Sequence, residues 1–415
     1  MLHATLLRST PAANSHLEKS PQTIRLVFSE RIVPELSRIT LIGARGDSSQ
    51  LKLAADAQDP HVLIGTVVGE LRGLYTISWR AVAADGHPSA GSLSFTVGSE
   101  GVNARTDTSA ATRPGVIAAS SSAAVSLLPM APISIVEEKP VPVFASLFRG
   151  VGLGAMMAGI GILFFGVTAG ERRFLIPGAL VTSLIAVGAL LLVAHLIMWL
   201  EHVSPTGHLT SAFLSSVFKS TVGQVELLRV VFAVLAVWAI ALGRLRKVAL
   251  WLGIACLVIS GAAGHPAAIH PFWAIPSKVV HLLFASAWLG GLLWLVWVAR
   301  CDEAACRIEA RRVSSIALVA VIVIFLSGLL QIVFFFSRPS DLFTTDYGRL
   351  VLAKIVGLFI LVGFGAYNKF GLMPNVETAG MTQTLARSAK QEIAILSIVV
   401  LIGGFLAYVP TPPVR

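Results

Sequence analysis

Two patterns of apolar residues divide the chain. From residue 3 to about residue 98, runs such as TIRLVFSE, ITLIG, SQLKLAA, HVLIGTVVG, LYTISWRAVAA and SLSFTV often alternate apolar with polar positions and are separated by turn residues. A period of two over such short runs marks half-buried strands. About seven strands in this stretch predict an N-terminal all-β sandwich of the Greek-key kind, cupredoxin-like or immunoglobulin-like. Trp79 and Phe95, each with apolar neighbours two positions away, belong to its core. Beyond residue 143 the apolar runs lengthen to about 20 residues, the length a helix needs to cross the hydrocarbon core of a bilayer. They predict a C-terminal all-α polytopic membrane domain of about eight transmembrane helices, over 143–169, 174–200, 222–242, 248–264, 275–299, 313–336, 350–371 and 392–409. Between the two bodies, residues 99–142 are dominated by Ala, Ser, Thr, Val and Pro with no sustained period, which reads as a linker. Its length predicts a sandwich that moves over the membrane surface. The expected domains are therefore 1–98, 99–142 and 143–410.

Composition sharpens this division. With 55% hydrophobic and 13% charged residues, an ordinary soluble protein is excluded. The net charge of +10 comes with Lys and Arg crowded into alternate loops: Arg172, Arg173, Arg244, Arg246, Lys247, Arg300, Arg307, Arg311, Arg312, Lys369, Arg387 and Lys390. The other loops hold Lys219, Lys278, Arg338 and Arg349. That asymmetry is a topology signal, not a nucleic-acid footprint, and it predicts that the sandwich and the C-terminus lie outside the cytoplasm. Export requires a signal, and none precedes Met1-Leu2-His3, so a missing signal is expected. The three cysteines, Cys256, Cys301 and Cys306, all follow the first span, which leaves the sandwich without a disulfide framework or a thiolate metal site. No phosphate-binding loop of the G-x-x-x-x-G-K-[ST] type occurs, so any transport is passive or coupled to an ion gradient.

Two phrases in the first body stand out, HATLLRSTPAANSHLEKSPQTIRLVFSE and YTISWRAVAADGHPSAGSLSFTV. Together they resemble the CopC family of periplasmic copper-binding proteins over nearly all of residues 3–98. The resemblance implies copper(II) ligation by His3, with ring and free amine, and by Asp85 and His87. Chemistry agrees, because copper(II) favours tetragonal nitrogen and oxygen ligation. Gly86 between the two ligands permits a turn that sends both side chains the same way. Taken alone, Asp85 as a turn cap and His87 as an exposed loop residue would explain the same letters. His3 has a free amine only when Met1 and Leu2 are gone. No Met lies between His3 and Gly98, so a thioether site for copper(I) is not expected there, and His16 and His61 read as surface residues.

The second body resembles the CopD family over about 143–410. The resemblance is carried by KVVHLLFASAWLGGLLWL at 278–295, SGLLQ at 327–331, YGRLVLAKIVGLFILVGFGAYNKFGLMP at 347–374 and a last span opening with Glu392. Fusions of the two families resemble copper uptake proteins. This implies a multi-pass protein of the bacterial cytoplasmic (inner) membrane with copper as cargo, and with membrane lipid and periplasmic copper chaperones as partners. No catalytic residue and no nucleic acid are implied. Two alternatives stay open: a heme or copper redox protein that reduces copper(II), and a protein that sequesters copper for resistance.

Ionisable and metal-ligating groups inside spans are costly and so are candidates for function. His195, Met198 and His202 share one helical face near the outer end of the second span. Imidazole and thioether suit copper(I), although His195 bonding a neighbouring helix and His202 lying with Glu201 at the interface would explain the same letters. His265 and His270 in the loop before the fifth span, and His281 within its first turns, are expected at similar depth and complete a candidate copper entrance. His195 with His281 is also the pair a heme would use. Glu226 and Arg229, one turn apart, read first as an ion pair and second as a proton or ion relay, and Lys354 reads as a snorkelling side chain. Cys301 and Cys306 offer thiolates to copper(I) at a spacing that is no standard metal motif, and Cys256 reads as packing.

Overall fold

The computed structural model describes residues 4–98, 142–170, 176–205, 208–243, 245–378 and 380–412. His3, Arg172, Arg173, Arg244 and nearly all of the expected linker lie outside the described residues.

The first body is a two-sheet sandwich of nine strands among the described residues: β1 (Leu6–Thr10), β2 (His16–Leu17), β3 (Thr23–Phe28), β4 (Arg38–Gly43), β5 (Ser48–Gln50), β6 (Lys52–Ala55), β7 (Val62–Thr66), β8 (Gly73–Val82) and β9 (Pro88–Val97). One sheet has the order β1-β3-β7-β6 and the other β2-β9-β8-β4-β5. Strand β9 alternates along its whole length, with Ser89, Gly91, Leu93, Phe95 and Val97 turned inward, which is why its period of two is so legible. Trp79 and Phe95 are core residues, and Phe28 meets Trp79 edge-on at 5.1 Å. The strand count exceeds the sequence expectation for two reasons. The run SQLKLAA breaks at buried Leu51, where the chain passes from one sheet to the other as β5 and β6. The two-residue β2, paired parallel to β9, is too short to show a period.

The second body contains α1 (Val143–Val167), α2 (Gly178–Val203), α3 (Ser211–Lys219), α4 (Thr221–Ala241), α5 (Arg246–Gly261), α6 (His265–Ala268), α7 (Pro271–Cys301), α8 (Glu303–Phe335), α9 (Asp341–Thr344), α10 (Asp346–Ala366) and α11 (Met381–Leu406). Seven helices among the described residues are long and apolar enough to cross a membrane, all but α5 of the eight expected. At about 1.5 Å per residue, the 16 residues of α5 fall short of a hydrocarbon core of about 30 Å. Helix α1 runs through the middle of the bundle, against α2, α5, α7 and α11. Its Gly161 meets Gly290 of α7 so closely that a Cβ on either would sit 2.2 Å from the other helix's backbone. Small residues are what let two membrane helices touch in this way.

The sandwich is seated directly on the helices, which corrects the expectation of a freely moving domain. Val33, Leu36 and Val82 pack against Leu196, Trp199, Leu200 and Val203 of α2 and Phe213 and Val217 of α3. Arg80 donates to the carbonyl oxygens of Val203 and His202, at 2.5 and 2.9 Å. A guanidinium is favoured there, because a helix C-terminus leaves carbonyls unpaired and carries the negative end of the dipole. Apolar contact and helix capping together fix which hairpin of the sandwich faces the bundle.

Candidate metal centre

The hairpin that faces the bundle joins β8 to β9 through Ala83–His87. The His87 amide donates to Asp85 Oδ1 at 3.0 Å and the Gly86 amide to the Ala83 carbonyl at 2.9 Å, which holds the turn tight. Gly86 has φ +89°, a conformation that suits glycine. A Cβ there would also lie 2.8 Å from Trp199 Nε1, which donates to the Gly86 carbonyl at 3.0 Å. The sequence reason for Gly86 was the turn alone; the structure adds the approach of α2.

Asp85 and His87 are each 5% exposed and His265 4%, so the hairpin site is buried at the seam between the two bodies. Asp85 Oδ2 lies 3.2 Å from Nδ1 of His87 and 3.2 Å from Nδ1 of His265. His265 opens α6, and its Nε2 donates to the carbonyls of Leu406 and Val409, both at 3.1 Å, so the C-terminal segment orients the ring and turns Nδ1 toward Asp85. The His87 ring stacks on His265, with centroids 6.2 Å apart. It meets His202 at 6.4 Å and Tyr408 at 5.0 Å, both edge-on. Glu30 is also buried; desolvation first, and then the charge of Asp85, push its carboxyl well above the usual carboxylate range.

Behind this group lies a second polar layer. Arg229 donates to His195 Nδ1 at 2.8 Å, and His195 Nε2 donates in turn to Tyr408 Oη at 2.7 Å. Arginine only donates, so Nδ1 is the unprotonated nitrogen and both ring nitrogens are engaged by protein. His195 thus bonds groups on neighbouring elements, one of the two readings open for it, and its lone pair is directed at a guanidinium. It also holds the Tyr408 ring against His87. Arg229 pairs with Glu226, as the sequence spacing predicts, and Arg149 adds a longer contact to Glu226 at 3.9 Å.

The remaining candidates separate. Met198 is half-buried on α2, one turn before His202. His270 packs on Phe334 at 5.4 Å, and His281 Nδ1 bonds Ser327 Oγ at 3.0 Å on α8. His281 and His195 are thus held by different partners, Ser327 against Arg229 and Tyr408. Lys354 runs beside Gly403 of α11. Cys301 is exposed at the end of α7, whereas Cys306 and Cys256 are buried.

Among the described residues no three His, Cys, Asp or Glu side chains surround a common point at metal-ligand distance. The hairpin and α6 nevertheless bring two imidazoles and a carboxylate together, the nitrogen and oxygen set that copper(II) takes. Residues 6–98 match the CopC domain, and residues 308–406 match Copper resistance protein D, the CopD family. The chain is a CopC–CopD fusion. Copper transport protein CutJ of Bacillus subtilis (strain 168) is 26% identical over 441 residues, covering 99% of this chain and 75% of that protein. Copper resistance protein C of Pseudomonas syringae pv. tomato is 35% identical over 102 residues, 23% of this chain and 80% of that protein. The crystal structure of PcoC, a methionine rich copper resistance protein from Escherichia coli, is 34% identical over 23% of this chain and 98% of its own, with a TM-score of 0.21.

In this CopC–CopD fusion, Asp85 and His87 come from the CopC match, while His202 and His265 lie on α2 and α6, ahead of the CopD match. Sequence reasoning missed Glu30, Trp199 and Tyr408. Glu30 ends the phrase TIRLVFSE, which is read only for its strand pattern and its resemblance. Trp199 and Tyr408 resemble the aromatic residues found at any membrane interface, so nothing in their spacing marked them.

Proposed function

We propose that this CopC–CopD fusion captures copper(II) on the sandwich and passes it at the seam to the helices, which admit it across the bacterial inner membrane. Sandwich and C-terminus face outward in this reading, as the loop charges require. Asp85, His87 and a processed His3 form the capturing set, with His202 and His265 as receiving groups and Met198 the next donor inward. One observation carries the proposal: a single oxygen, Asp85 Oδ2, stands 3.2 Å from a sandwich imidazole and 3.2 Å from a helix imidazole. An ion on Asp85 and His87 therefore changes partners without leaving the site. The names of the relatives, a copper transport protein and copper resistance proteins, agree with this cargo. The protein acts as a transporter and not as an enzyme.

Uptake into proteoliposomes, with copper(I) and copper(II) offered separately and absorption spectra recorded, tests the proposal. Copper accumulates with the intact chain and fails to accumulate with His265→Ala, which still binds copper(II). Reduction of copper(II) without accumulation, or a stoichiometric heme band, overturns it.

A further inference from the structure

Helix α7 leaves the seam just after His265, and α11 returns to it at Leu406, whose carbonyl accepts from His265 Nε2. The two helices are therefore antiparallel, and the end of α7 meets the start of α11 on the side of the bundle away from the sandwich. There Arg300 of α7 and Gln383, Arg387 and Lys390 of α11 line a cavity of about 200 Å³, with Val296 and Ala386 as apolar wall. Among the described residues its lining holds three cations and no carboxylate.

Other arginines at this end are matched: Arg307 with Glu303, Arg311 with Glu377 and Arg312 with Glu309, at 3.2, 2.8 and 3.2 Å. Arg300, Arg387 and Lys390 have no hydrogen bond or ion pair among the described residues. Asp302 and Glu303 follow Arg300 in the chain but are engaged elsewhere, Asp302 by the Ala305 amide and Glu303 by Arg307 and Thr382. A topology signal accounts for cations at this end, but not for the gathering of unmatched ones around one space. Like charges so placed repel, and an anion held between them turns the repulsion into charge-assisted hydrogen bonds.

Depth decides which anion. At about 1.5 Å per residue, Lys390 stands about 24 Å and Arg387 about 28 Å along α11 from Leu406. A hydrocarbon core is about 30 Å thick, so these positions border its far edge, the level of the phospholipid phosphates. Side chains on a helix lean toward its N-terminus, which for α11 is this end, so Lys390 snorkels to the same level as Arg387. The cavity is smaller than a usual small-molecule site, which suits a head whose tails remain in the bilayer. We infer that it holds the phosphate of one anionic phospholipid, gripped by Arg300, Arg387 and Lys390, with an acyl chain leaving along Val296 and Ala386. The inference goes beyond copper transport and does not depend on it.

The test uses the full chain in phosphatidylcholine nanodiscs titrated with phosphatidylglycerol that carries a spin label on an acyl chain; the motionally restricted fraction counts the lipid held. One phosphatidylglycerol per chain is expected, preferred about tenfold or more over spin-labelled phosphatidylcholine. Arg387→Gln with Lys390→Gln lowers that preference about tenfold at an unchanged melting temperature, since neither side chain has a partner to lose. Arg307→Gln with Arg311→Gln removes the same two charges from the same end and changes it less than about twofold, because those arginines are already matched. Arg300→Gln, on the other helix, gives a smaller drop and decides alone if the double variant folds poorly. Equal restriction of the two lipids, equal losses in the two double variants, or an unchanged preference in Arg300→Gln each overturns the inference. Displacement of the labelled lipid by excess inorganic phosphate also overturns it, and shows a site for free phosphate.

Discussion

The seam under the sandwich and the contact of α11 with the π-helical turn Tyr367–Leu372 after α10 both bury polar groups among helices, but they differ in how completely those groups are paired. At the seam, His195 spends both ring nitrogens on Arg229 and Tyr408, and His265 bridges Asp85 and the C-terminal carbonyls. At the turn, Asn368 donates to Glu392 of α11 while its Oδ1 has no partner. An ion entering the seam must replace contacts that already exist. Substitutions at the seam are therefore expected to change docking and binding together.

The strongest way to break this picture is to remove the capturing pair. His87→Ala and Asp85→Ala each weaken copper(II) binding by the full chain by about 100-fold, given that loss of a mere supporting partner costs 10- to 100-fold. Competition with a chelator of known affinity, alongside electron paramagnetic resonance of the bound ion, measures this. Unchanged affinity would remove the hairpin from the capturing site.

Next in size is the docking itself. Trp199→Ala deletes both the apolar anchor of the seam and the hydrogen bond to the Gly86 carbonyl. A buried tryptophan lost to alanine costs about 3–5 kcal/mol, whereas Trp199→Phe, which keeps most of the ring, costs about 1 kcal/mol through the lost bond. Amide exchange in the Ala83–His87 turn is the readout: fast exchange in the alanine variant and near-native protection in the phenylalanine variant are expected. Gly86→Ala combines a positive φ with a Cβ 2.8 Å from Trp199 Nε1, so it loosens the same turn by about 1–3 kcal/mol. If it leaves exchange unchanged, the sandwich is not held where the seam places it.

The same contrast explains what the sequence made legible. Period-two strands and long apolar runs are local patterns, so the sandwich, the spans and the Asp85-Gly86-His87 hairpin could be read directly. The Glu226–Arg229 pair was legible for the same reason, one helical turn of separation. The assembly of the seam is not local. His265 reaches Asp85 across 180 residues, and Tyr408 reaches His195 across 213. No spacing rule links such positions. Helical periodicity correctly put His195 and His202 on one face of α2. It could not reveal that Arg229, from α4, would occupy the lone pair of His195. The Asn368–Glu392 contact was invisible for the same reason, since 24 residues separate the two.

The smallest expected effect is the sharpest test of which histidines belong to the seam. His281 lies ten residues into α7, and its Nδ1 is 3.0 Å from Ser327 Oγ. The Ser327 hydroxyl gives its proton to the Ile324 carbonyl at 3.1 Å, so His281 must be the donor to Ser327. The pair thus works as a helix-to-helix clasp between α7 and α8. His281→Ala then costs about 0.5–1.5 kcal/mol of stability, the net value of one hydrogen bond, and leaves copper entry within about twofold of the unaltered chain. His281→Asn, which keeps a donor, recovers part of that stability. His265→Ala, by contrast, removes the imidazole that shares Asp85 Oδ2 with His87 and stops entry. The two variants are compared in the same vesicles, at equal protein content and after the fold has been checked by melting. If His281→Ala blocks entry as completely as His265→Ala while melting normally, copper passes along the α7–α8 contact. The clasp is then part of the route, and the division between seam and helix packing fails at this point.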